Sequence, residues 1–162
     1  MPHSTHRLLS RRVFLGFLGA TAVSACSASP TPAPAAGLPL HPNETPQLRQ
    51  QINKWADFYD VPRPLVHRLA IRDSTHRPGA RSGPYYGLLQ ILPATARSMG
   101  FQGKPSDLLN ADTNLKYAVK YLRGAWLLSD GSHDTAVKWY SRGYYYEAKR
   151  RGMLVETGLR RG

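Results

Sequence analysis

From Leu48 onward the apolar residues return every three or four positions, which is the period of helices that bury one stripe. No stretch alternates for long enough to make an ordinary strand, so the expected class is mainly α with at most a very short β element. Residues 48–59 carry Ile52, Trp55 and Tyr59 on one face and close at Asp60-Val61-Pro62. A second helix begins near Pro64, because proline suits a first helical turn, and aligns Leu65, Leu69 and Asp73 at four-residue steps. Residues 79–87 read as a loop, and Pro93 opens a short helix that stops at Gly100. Asn110 or Asp112 caps a long helix in which Leu115, Ala118, Leu122 and Trp126 repeat. Ser132 opens a last helix, expected to carry Ala136, Val137, Tyr140 and Tyr144 on one run, ahead of a basic tail.

The first 46 residues read differently. Arg7, Arg11 and Arg12 precede an apolar stretch from Val13 to Val23, about 11 residues and so too short to span a bilayer as a mature helix. Ser10-Arg11-Arg12-Val13-Phe14-Leu15 resembles a twin-arginine export signal. Val23-Ser24-Ala25-Cys26 resembles a bacterial lipobox, in which small residues admit a peptidase and the thiol takes a diacylglycerol. Cys26 is the only cysteine, so it has no partner for an internal disulfide. Prolines at 30, 32, 34, 39, 42 and 46 favour extended backbone, and residues 26–46 read as a semi-rigid spacer behind a lipid anchor. The expected organisation is a signal peptide at 1–25, the lipidated cysteine and spacer at 26–46, and a folded domain at 47–162. Ser27 after the cysteine leans the expected address toward the outer membrane, on its periplasmic face.

Charge narrows the partner. The chain holds 22 lysines and arginines against 10 acids, a net +12. Residues 1–25 contain three arginines and no acid, so +9 stays with the mature protein. Such a balance fits an anionic polymer or surface. Export removes nucleic acid from reach. No Cys/His spacing resembles a zinc site, and no Gly-rich phosphate loop, His-Glu-x-x-His or Gly-x-Ser-x-Gly is present, so neither a metal nor a cofactor is expected.

Among the acids Asp73 is the informative one. It falls in line with Leu65 and Leu69, on the face that packing buries, and near the C-terminal end of its helix. Desolvation and the helix dipole both disfavour its charge there, and a carboxyl that keeps its proton toward neutral pH suits a general acid. The alternative is an Asp paired with Arg72 or with an arginine of the following loop.

The surrounding residues supply context. Ala70-Ile71-Arg72-Asp73-Ser74, Ser82, Tyr86-Gly87-Leu88-Leu89-Gln90-Ile91 and Pro93-Ala94-Thr95-Ala96 occur in that order. Asn114 with Tyr121-Leu122, and then Ala136-Val137-Lys138-Trp139-Tyr140, follow. Together these resemble the soluble lytic transglycosylase (SLT) family, over roughly residues 55–150. The resemblance implies a lysozyme-like α domain with a peptidoglycan groove. It also implies non-hydrolytic cleavage of the β-1,4 bond between N-acetylmuramic acid and N-acetylglucosamine, leaving a 1,6-anhydro end. It places Asp73 at the catalytic position, Ser82 and Gln90 where the family contacts substrate, and Tyr140 where a tyrosine supports the acid. Each has a plainer reading: Ser82 as a loop hydroxyl, Gln90 as a core-edge amide, Tyr140 as core. The tyrosines 144–146 read as sugar-stacking rings or as packing.

Two departures from the family pattern bear on activity. The family's Glu is Asp73 here, and its Asn after the tyrosine is Ser141. The shorter side chain draws the carboxyl back by about 1.5 Å, one C–C bond. The expectations are therefore an active lytic transglycosylase or, alternatively, a slow or inactive relative that still binds glycan.

Overall fold

The computed structural model describes residues 38–160; the export segment, the lipobox and Cys26 lie outside the described residues. The described part is helical apart from one small hairpin. In chain order it runs α1 (Pro46–Phe58), α2 (Arg63–Ser74), β1 (Arg81–Ser82), β2 (Tyr85–Tyr86) and α3 (Pro93–Ser98). A 3-10 turn (Pro105–Leu109), α4 (Ala111–Leu127), α5 (His133–Arg142) and α6 (Tyr145–Arg150) complete it. Among the described residues no helix is long and apolar enough to cross a membrane.

Helix ends follow from the local chemistry. Thr45 caps α1 by accepting from the Leu48 amide, and Pro46 takes the first turn, where its missing N–H costs nothing. Asn110, not Asp112, caps α4, accepting from Thr113 N at 3.1 Å. Asp112 instead accepts from Trp55 Nε1 at 2.8 Å and from Lys54 at 2.9 Å, tying α4 to α1. Ser132 caps α5. Helix α2 ends in two consecutive left-handed residues, Thr75 and His76 (φ 51° and 56°), the His76 amide returning to Ala70 O.

Helix α4 is the hub, packing against α1, α3, α5 and the 3-10 turn. Its Leu115, Ala118, Val119, Leu122 and Ala125 are buried, with Ile52 of α1 and Leu65, Val66 and Leu69 of α2 in the same core. Trp126 packs on the edge of that core, and Ala125 takes the inner position.

The C-terminal region departs from expectation. Helix α5 does not continue to Tyr144; it stops at Arg142, where Gly143 turns the chain at φ 81°. Tyr144 then plugs the core at 1 % exposure, its hydroxyl donating to Tyr121 O at 2.8 Å. Gly124 of α4 makes the room, because a Cβ there would lie 2.2 Å from the Tyr144 oxygen. A glycine-induced turn is what aims this ring inward, so the helical period could not be carried through it. Tyr145 and Tyr146 remain exposed on α6.

The stretch read as spacer also ends earlier than expected. Glu44 is 7 % exposed and Asn43 donates to Thr75 O, so these two residues already contact the fold.

Candidate active site

Asp73 lies in the last turn of α2 with its side chain 10 % exposed. Both readings of it hold at once. Arg72 Nε donates to Oδ1 at 2.6 Å, yet burial still raises the carboxyl pKa above its ordinary value. One hydrogen bond from a partly exposed neighbour does not offset the loss of water.

Tyr140 of α5 lies within electrostatic reach of this carboxyl. It is 8 % exposed, and burial together with the charge of Asp73 pushes its phenol pKa well above the ordinary range. The hydroxyl is therefore a fixed donor, and it donates to Leu89 O at 2.8 Å. Leu89 is itself positioned from the other side: its amide donates to Asn114 Oδ1 of α4 at 2.9 Å. The Asn114 amide nitrogen donates to Tyr86 O and Leu108 O, at 2.8 and 2.9 Å, which satisfies a fully buried side chain. A hydrogen-bonded line thus runs from α4 through the 86–90 loop to Tyr140.

Gly87 allows that loop to lie so close. At φ 75° its missing Cβ would stand 2.1 Å from Leu108 O and 2.3 Å from Asn114 Nδ2. The next bend falls on Gln90, held left-handed at φ 44°. Its Nε2 donates to Ala80 O and Gly87 O at 3.1 and 2.8 Å, which offsets a backbone conformation unfavourable for a non-glycine residue. Both amide hydrogens are thereby used. The Gln90 carbonyl oxygen is buried and has no hydrogen-bond partner among the described residues.

Gln90 and Tyr140 line a cleft of about 340 Å³, with Tyr85, Thr95, Tyr121 and Ser141. Asp73 and Ser82 are not part of that lining; Asp73 joins it through Tyr140, and Ser82 through its strand partner Tyr85. The structure so brings Asp73, Gln90 and Tyr140 to one region and leaves Ser82 exposed on the hairpin. Ser141 spends its hydroxyl on Val137 O within α5. Sequence reasoning missed Tyr85 and Tyr121 as lining residues, although both adjoin or belong to quoted motifs.

The profile of the transglycosylase SLT domain matches residues 50–150. The chain belongs to the SLT transglycosylase family. The matched span begins within α1, ends with α6, and contains Asp73, Ser82, Gln90 and Tyr140. No curated protein and no solved structure matches the chain. Membership makes this a transglycosylase-type domain directed at peptidoglycan, and its mainly α architecture with one two-stranded hairpin is of the lysozyme-like kind.

Proposed function

We propose that this SLT domain is a lytic transglycosylase that cuts the β-1,4 bond between N-acetylmuramic acid and N-acetylglucosamine, with Asp73 as its single catalytic carboxyl. The observation that carries the reading is the state of Asp73: a carboxyl only 10 % exposed whose pKa is raised despite a bonded arginine, within electrostatic reach of Tyr140, which lines the cleft. In its neutral form Asp73 donates its proton to the glycosidic oxygen as the C1–O bond breaks. As carboxylate it then accepts the proton of the sugar's 6-hydroxyl while that oxygen bonds to C1. A 1,6-anhydro ring closes, no water is consumed, and the acid is regenerated. One carboxyl suffices, unlike the pair in typical glycosidases.

Gln90 forms part of the wall of the cleft that receives the glycan, and Tyr85 and Tyr121 offer ring faces to it. Ser82 extends the groove along the hairpin. We further propose export by the twin-arginine-like signal and lipidation of Cys26. Residues 27–40 then tether the domain at the periplasmic face of the membrane, more naturally the outer one, facing acidic cell wall.

The mature protein incubated with intact sacculi should release 1,6-anhydro-muropeptides, read by mass spectrometry. Cosedimentation with sacculi and no anhydro product would instead support a glycan-binding module, the reading favoured by an Asp where the family has Glu. Cys26→Ala should move the protein from the membrane fraction to the soluble one.

A further inference from the structure

A second cluster of reactive side chains lies on α2, away from the cleft. His67 and Asp73 are six residues apart on that helix, about 120° around its axis at 3.6 residues per turn. On the His67 side, Glu44, His67 and His76 converge, one ligating atom of each lying within 4.8 Å of the others. Glu44 Oε1 is 3.5 Å from His67 Nδ1 and 4.0 Å from His76 Nε2. The His41 ring is 5.0 Å from that of His76.

The hydrogen bonding leaves lone pairs facing one another. His67 Nε2 donates to Asn53 Oδ1 at 3.1 Å, so in the neutral ring Nδ1 is the bare nitrogen, and it faces the carboxylate. His76 is 1 % exposed and neither of its ring nitrogens has a hydrogen-bond partner among the described residues. Burial holds both rings toward the neutral form. Arg49 donates to both Glu44 oxygens and the His41 amide to one, holding the carboxyl down at about 2, in its ligating form. A buried imidazole with two unpaired nitrogens is costly unless something accepts its lone pair.

We propose that Glu44, His67 and His76 form a binding site for a divalent transition-metal ion of the zinc type, with a fourth position for His41 or water. Imidazole and carboxylate donors suit such an ion, and bonds of about 2.0–2.1 Å put tetrahedral ligands about 3.3 Å apart. The 3.5 and 4.0 Å separations need only small side-chain rotations to close. Asn53 and Arg49 supply the outer hydrogen bonds that orient a ligating histidine and carboxylate. The Arg49 charge opposes a dication, so the affinity belongs in the micromolar range rather than tighter. Bound there, the ion pins the residues leading out of the tether to the helix that carries Asp73.

The test is equilibrium dialysis of the metal-stripped full-length protein in detergent against zinc chloride alone. One zinc per chain is expected, with at least a tenfold loss of affinity in His67→Ala and in Glu44→Gln. X-ray absorption of the wild-type zinc form, which requires no variant to fold, should show imidazole scattering with nitrogen and oxygen ligands only. Absence of zinc binding at micromolar concentration, a sulfur ligand, or stoichiometric binding that survives both substitutions would each overturn the site.

Discussion

Asp73 and Glu44 invite comparison, since each is a carboxylate drawn out of water near an end of its segment and bonded to an arginine, yet their acidities move in opposite directions. The Asp73 side chain is 10 % exposed and that of Glu44 1 %, and loss of water raises the pKa of both. The donors separate them. Among the described residues Asp73 accepts one bond, from the Nε of the preceding residue in its own helix. Glu44 accepts the full fork of Arg49, which stands one turn into α1, and a backbone amide as well. A carboxylate with its donors complete becomes a strong acid and a structural anchor. One left short of donors holds its proton to higher pH, the direction an acid catalyst needs.

The same substitution at the two positions should therefore give stability changes of opposite sign. Asp73→Asn should lower anhydro-muropeptide release by about 10³-fold, the scale of a general acid, while its melting temperature at pH 7 stays level or rises. The sign follows from linkage: a carboxyl with a raised folded pKa is penalised once ionised, so the gain of the Asn variant fades as pH falls through the titration of Asp73. Loss of stability at pH 7 together with retained turnover would make Asp73 the anchor and end the contrast.

Asp73→Glu restores the longer carboxyl and should raise turnover by up to about a hundredfold, the cost of a misplacement near 1 Å, as measured by initial rates on sacculi. Unchanged rates would mean that the backbone already compensates for the missing methylene.

Glu44→Gln should cost about 2 kcal/mol in denaturant unfolding at pH 7, the value of charged hydrogen bonds lost. Here the folded pKa of about 2 lies below the ordinary 4.5, so the stabilisation is present above pH 4.5 and is lost as pH falls toward 2. The gap between wild type and variant should close over that window. The smallest effect is expected from Arg72→Ala. Removing the one donor to Asp73 should push its pKa further up and carry the alkaline limb of the pH–rate profile to higher pH.

Much of the helical framework was legible because it rests on short-range rules. Asn110 and Ser132 cap the helices that follow them, and prolines 64 and 93 mark first turns, whereas Thr45 and Pro46, read as spacer, turn out to open α1. The burial of Asp73 was legible for the same reason, since four-residue spacing from Leu65 and Leu69 sets its face. Tyr144 was misassigned because a single left-handed glycine, Gly143, breaks the period, and because the notch that receives the ring is a glycine twenty positions earlier. The 3-10 turn at Pro105–Leu109 was missed as well, being too short to carry a period. Glu44 stood at the end of a proline-rich stretch and read as spacer, since nothing local shows that Arg49 and α2 receive it.

By itself the sequence determined the class of fold, the starts of α2 to α5 and the face on which Asp73 lies, because caps, prolines and a 3.6-residue period act within one or two turns. It also supplied the ordered motifs that the SLT family match spans. Only the tertiary structure decided how many donors Asp73 and Glu44 meet, that the Gln90 side-chain oxygen has no partner among the described residues, and that His67 and His76 face Glu44. Those are properties of groups brought together from separate segments, and acidity and ligation depend on such neighbours rather than on the residue that carries the charge.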